Sequence, residues 1–90
     1  MTVERRVIRV TGHVQGVNFR RDTRREAQRL GLRGFARNEP DGSVTIDVEG
    51  EPEALDQMIA WCCRGPELAI VDCVDVDVRG PVGHCGFSIE

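Results

Sequence analysis

The segment Gly12-His13-Val14-Gln15-Gly16-Val17-Asn18-Phe19-Arg20 separates an alternating apolar stretch from an amphipathic one. A loop that leads from a strand into a helix presents several backbone N–H groups without partners. The positive end of the helix dipole points the same way, which makes the place an anion site by construction. Gly16 lets the backbone curl and approach a ligand closely. Arg20 and Arg21 fall in the first helical turn, where a cation is unfavourable by about 0.3–1 kcal/mol. A bound phosphate offsets that cost, and a guanidinium offers a planar fork for two of its oxygens. The plainer alternative is a β–α turn beside solvated arginines. The loop lacks the Gly-x-x-x-x-Gly-Lys-Ser/Thr pattern, so it is not a nucleotide P-loop.

The other reactive residue types are sparse. Cys62, Cys63, Cys73 and Cys85 include no Cys-x-x-Cys pair, and the vicinal Cys62-Cys63 has poor geometry for one tetrahedral ion. They are expected as reduced thiols packed like small apolar residues. His13 sits in the anion-type loop, and His84, between Gly83 and Cys85, is expected to be solvated. Asn38 opens the turn Asn38-Glu39-Pro40-Asp41-Gly42 at a strand end, from which its side chain can face the 12–20 loop. In that turn Pro40 presets φ, Gly42 accepts positive φ, and the Asp41 carboxylate is placed to fix the hairpin.

The elements that must hold these residues read clearly. Val7-Ile8-Arg9-Val10 alternates as a short strand. From Phe19 the period changes. Phe19, Thr23, Ala27 and Leu30 line one face of a helix whose other face carries Arg21, Arg24, Arg25 and Gln28, with Gly31 as its C-cap. Phe35 begins a second strand, and Val44, Ile46 and Val48 alternate in a third, so the two form a hairpin. Pro52 suits the first position of a second helix whose apolar face is Leu55, Met58, Ile59 and Cys62, and Gly65-Pro66 stops it. Trp61 on that helix belongs to the core. Ile70, Val74, Val76 and Val78 share one parity in a fourth strand, Gly80 to Gly86 is a loop, and Phe87-Ser88-Ile89 is a short final strand. The order is βαββαβ plus one strand. It predicts an α+β fold, a ferredoxin-like sandwich: an antiparallel sheet with both helices on one face, over a single domain spanning 1–90.

Composition excludes several classes. The 90 residues are 40 % hydrophobic and 30 % charged, the balance of a globular domain. The longest apolar run is the six residues Met58–Cys63. A membrane helix needs about 20 and a signal-peptide core about 7–15. The expected address is therefore the cytoplasm. All 12 basic residues are arginine. Residues 1–37 carry a balance of +7 and residues 38–90 a balance of −10, so the anion site has a basic setting unless the halves interleave and neutralise each other.

Gly12 to Arg20 reads G-x-V-Q-G-V-x-F-R, and Leu30 to Val44 reads L-G-L-x-G-x-x-x-N-x-x-D-G-x-V. In this order and spacing the pair resembles the two signatures of the acylphosphatase family, and the resemblance covers essentially the whole chain. It implies the ferredoxin-like sandwich and hydrolysis of a carboxyl–phosphate bond without metal or cofactor. Carried over residue by residue, Arg20 matches the family's phosphate-binding arginine and Asn38 its water-positioning asparagine. The cradle of backbone amides matches Gln15, Gly16, Val17, Asn18, Phe19 and Arg20. Phe35 and Ala36 stand where the second signature often has Trp and Val, which are packing positions. The chain ends on the acidic Glu90 where many members end basic or aromatic.

The implied reaction makes few demands. The leaving carboxylate has a conjugate acid of pKa about 4–5, by analogy with Glu, so it departs without a strong general acid. What remains is to hold the phosphoryl group, stabilise its equatorial oxygens and set a water in line. Arg20 and the loop amides serve the first two needs, and the Asn38 amide holds the water. A neutral amide is a poor base, so the proton passes to a phosphate oxygen. The partners implied are a small acyl phosphate and inorganic phosphate, acting on a monomer, with neither nucleic acid nor membrane.

Two other classes share parts of this pattern. RNA-recognition domains share the βαββαβ order, and Arg33-Gly34-Phe35-Ala36 matches the start of their RNP1 pattern. The match then fails at Arg37 and lies on the second strand rather than the third. Four aromatics (Phe19, Phe35, Trp61, Phe87) and a net charge of −3 also argue against nucleic acid. A catalytically silent module that binds carbamoyl phosphate or a protein partner inside a larger machine is the other class. It is disfavoured by the 90-residue length.

Overall fold

The computed structural model describes residues 2–90. Seven elements follow in order: β1 (Glu4–His13), α1 (Phe19–Arg29), β2 (Arg33–Asn38), β3 (Val44–Gly50), α2 (Pro52–Arg64), β4 (Ile70–Arg79) and β5 (Phe87–Ile89). They form a five-stranded sheet in the order β4-β1-β3-β2-β5. The βαββαβ order and the ferredoxin-like α+β sandwich are as the periodicity predicts.

β1 is longer than the four residues that alternate. It lies between β3 and β4 and bonds to both, so Glu4, Arg5 and Arg6 are drawn into the ladder opposite Gly50, Glu49 and Val48. The pairs β1–β3, β1–β4 and β2–β3 are antiparallel, but β5 joins β2 in parallel, so the sheet is mixed. The cause is the return path. β4 and β2 run in opposite directions, so a chain that leaves β4, crosses to the far edge and doubles back must run with β2.

The register sorts the side chains by face. Ile8 stands opposite Ile46, Val10 opposite Val44, and Ala36 opposite Ile46 from the other side. These residues join Phe19 and Ala27 of α1 and Leu55, Met58 and Cys62 of α2 in one buried core. Gly31 and Leu32 close α1 by donating their N–H groups to the Gln28 and Ala27 carbonyls, the paired bonds of a Schellman end. Gly34 is needed where β2 crosses β3. Its φ is +147°, and a Cβ there would sit 1.8 Å from the Asp47 carbonyl oxygen.

The apolar row of β4 is buried less than its pattern suggests. β4 is an edge strand, and Ile70 and Val78 are 64 % and 72 % exposed. The cysteines also differ from expectation. Cys62 alone is buried, where burial pushes its thiol up, while Cys63, Cys73 and Cys85 are exposed and all four are free. No described helix is long and apolar enough to cross a membrane.

Candidate active site

The site begins where β1 ends and α1 starts. Gly16 has φ +74°, and Asn18, at the helix N-cap, has φ 63° and ψ 24°. Two left-handed residues in three steps curl the loop so that successive N–H groups converge on one concavity. The first main-chain bond into α1 runs from the Asp22 N–H to the Asn18 carbonyl at 3.0 Å. Among the described residues, the N–H groups of residues 16–21 have no partner, and no side chain caps the helix.

Beside them lies a cavity of about 120 Å³, with walls from Asn18, Phe19, Arg20, Arg21, Asn38 and Ile89. Four residues singled out by sequence (Asn18, Phe19, Arg20, Asn38) therefore meet around one space. Gln15, Gly16 and Val17 do not line it. Val17 is packed into the core, Gly16 makes the bend, and Gln15 turns toward the β2–β3 hairpin. The Gln15 Nε2 donates to the carbonyls of Glu39 at 2.8 Å and Ser43 at 3.0 Å, tying the loop to the hairpin that carries Asn38.

Asn38 is the last residue of β2 and shares the helix-facing side with Val44. Its Oδ1 is buried and has no hydrogen-bond partner among the described residues. An acceptor left without any partner costs about 1–3 kcal/mol, and the residue that carries it borders the cavity. The turn behind it is rigid. The Asp41 Oδ1 accepts from the Ser43 N–H at 2.9 Å and from its hydroxyl at 2.6 Å, and Arg9 pairs with the same carboxylate. The Ser43 bonds hold the Asp41 carboxyl below the usual range. The Asp41 carboxylate thus fixes the hairpin as its turn position suggests.

Arg20 is oriented from the far end of the chain. Its Nη1 donates to the Glu90 carbonyl at 2.7 Å. Ile89 and Glu90 belong to a long-range pairing of β5 with β2, so no local pattern near Arg20 announces them. Val14, also at the cavity, was legible only as a loop residue, whereas Arg21 already stood beside Arg20 in the first helical turn. His13 is exposed and outside the cavity. Trp61 packs edge-on against Phe19, with ring centroids 5.5 Å apart, and so supports the α1 start as a core residue.

His84 is not the solvated loop residue its neighbours suggest. On the open face of the sheet its Nε2 lies 2.9 Å from the Asp47 carboxylate and its ring meets Phe35 edge-on. Arg5 grips the same carboxylate at 2.8 and 2.6 Å, and that bond foremost holds Asp47 below its ordinary pKa. Nearby, the fully buried Glu49 accepts from the backbone N–H groups of Val82, Gly83 (3.1 Å) and His84 (2.7 Å). Burial pushes Glu49 up, but those three donors prevail and hold it low. No group of three or more His, Cys, Asp or Glu side chains suited to a metal ion occurs among the described residues.

An α+β sandwich thus brings an open helix start with two arginines and a half-buried asparagine to one cavity. The family model for acylphosphatases matches residues 6–89. The chain is 55 % identical over 83 residues to an acylphosphatase of a Nocardioides species, covering 92 % of this chain and 84 % of that one. The solved acylphosphatase of Bacillus subtilis superposes with a TM-score of 0.91 at 36 % identity, covering 99 % of each chain. That of Coxiella burnetii gives 0.94 at 28 % identity, covering 98 % of this chain and 93 % of that one. The chain belongs to the acylphosphatase family and is a hydrolase of that family.

Proposed function

We propose that the protein hydrolyses the carboxyl–phosphate bond of small acyl phosphates to a carboxylate and inorganic phosphate, without metal or cofactor. Arg20 and the amides of the 15–20 loop bind the phosphoryl group, and Asn38 positions the attacking water. What supports the reading is a single juxtaposition: Arg20, the start of α1 with its unpaired N–H groups, and Asn38 border one cavity. On this reading the donors stabilise the three equatorial oxygens that gather negative charge in a loose transition state. The Asn38 amide holds the water by a hydrogen bond while the water's lone pair attacks phosphorus. The water proton passes to a phosphate oxygen, and the carboxylate leaves with the electron pair of the broken bond. The reading takes residues 1–90 as one domain of a monomeric, cytoplasmic protein.

The test is hydrolysis of benzoyl phosphate in excess chelator, together with thermal unfolding in inorganic phosphate. Turnover should persist with EDTA. Phosphate should inhibit competitively and raise the melting temperature, because it binds only the native state. Arg20→Ala should abolish that thermal shift, and Arg20→Lys should lose most of it for want of the bidentate fork. Activity lost to EDTA and restored by a divalent ion would overturn the metal-free reading. An undiminished thermal shift in Arg20→Ala would remove Arg20 from the site.

A further inference from the structure

A second cavity of about 180 Å³ opens between the start of α1 and the connection from α2 to β4. Asn18 and Arg21 line both cavities, so the two adjoin. Asn38 borders only the first, and Pro66, Glu67 and Leu68 border only the second. We propose that this second cavity receives the acyl group, and that Arg21 there favours acyl groups bearing a carboxylate. The inference rests on the proposed function and deepens it.

The direction follows from the fold. Asn38 ends β2, Leu68 leads into β4, and β3 and β1 lie between those strands. Three strand spacings make about 14 Å. In-line displacement puts the attacking water and the leaving oxygen on opposite sides of phosphorus. With the water held on the β2 side by Asn38, the bond that breaks points toward β4. The carboxylate and whatever it carries therefore depart past Asn18 and Arg21 into the second cavity.

The walls there are chiefly polar and charged. Arg21 spends only its Nε on Asp22, at 3.2 Å. Among the described residues its two Nη groups have no partner, so they remain a fork for a carboxylate. Asp22 takes only the Nε edge of that guanidinium. Glu67, on the opposite wall, has no partner among the described residues and opposes the same charge. A carboxylate seated on the Arg21 fork gains a two-bond contact, against which Glu67 sets only a through-space repulsion.

The test compares benzoyl phosphate with 4-carboxybenzoyl phosphate, two substrates of the same shape near the reacting bond. For wild type, kcat/KM should be higher for the carboxylated substrate. In Arg21→Gln the ratio should fall by about five-fold, carried mainly in KM, as for one exposed charge contact. In Glu67→Gln it should rise by about two-fold. Arg21→Gln removes a cation from the first turn of α1, so the melting temperature should hold or rise slightly, and the exposed Glu67→Gln should leave it unchanged. A ratio unchanged in both variants, with wild type active on benzoyl phosphate, overturns the acyl cavity and leaves the proposed function standing. Wild type inactive on both substrates overturns the proposed function and this inference with it.

Discussion

Asn38 and Gln15 act at the scale of single residues, and their roles separate cleanly. Gln15 spends its amide on two main-chain carbonyls, so it aims the hairpin. Asn38 borders the cavity, and its Oδ1 has no partner among the described residues. If that atom holds the attacking water, its loss belongs to the transition state and not to ground-state binding. Asn38→Ala should lower kcat by about 10²–10³-fold, the scale of one lost transition-state hydrogen bond, with KM and phosphate inhibition little changed. Asn38→Asp should be equally inactive, because a carboxylate there repels the phosphoryl group. An active Asp variant would show that Asn38 only closes its turn.

At the scale of elements, the site depends on where β2 lies against β3. Gly34 permits that approach, since any Cβ would strike the Asp47 carbonyl. Gly34→Ala must part the two strands or twist β2. It should destabilise the fold by about 3 kcal/mol or more, a fall in melting temperature of about 15 °C for a domain this size. The cost should also appear as weaker phosphate binding, because β2 delivers Asn38 and pairs with β5, whose end holds Arg20. A melting temperature within about 3 °C of wild type, less than 1 kcal/mol by the same relation, would refute the close approach.

The whole molecule resolves the charge asymmetry of the chain. Arg5 meets Asp47, Arg9 meets Asp41 and Arg37 meets Glu39, so the basic first half and acidic second half do interleave in part. The Glu49 carboxylate clamps the 82–84 loop, and that loop carries the chain to β5 and so to Ile89 at the candidate site and to Glu90, which meets Arg20. Asp47 and Glu49 both have folded pKa values below their ordinary ones. Their contribution is therefore fully present above about pH 4.5, the unfolded range. It is lost as the pH falls through the lower folded values. Glu49→Gln should cost on the order of 2–3 kcal/mol at pH 7, and the gap from wild type should narrow as the pH falls below about 4.5. Urea unfolding along that pH series measures this, and a gap independent of pH would contradict the sign.

Local order supplied most of the fold. The switch from alternation at Val7–Val10 to a 3.6-residue period at Phe19, the Pro40–Gly42 turn, Pro52 and the glycine stops each act over a few residues, so one chain suffices to read them. The Gly16–Arg20 loop was legible for the same reason: an anion site at a helix start is made by adjacent backbone. Asn38 entered through its resemblance to a signature and its place in a turn. Its burial, and the cavity it shares with Arg20, came from packing. Residues that no local pattern announces were decided by tertiary structure alone. The parallel β5, the Glu90 carbonyl that orients Arg20, the edge exposure of β4 and the Arg5–Asp47–His84 cluster all join positions more than 30 residues apart. Such contacts depend on strand order and register, and these are settled only when all the faces of the sheet and helices are buried together.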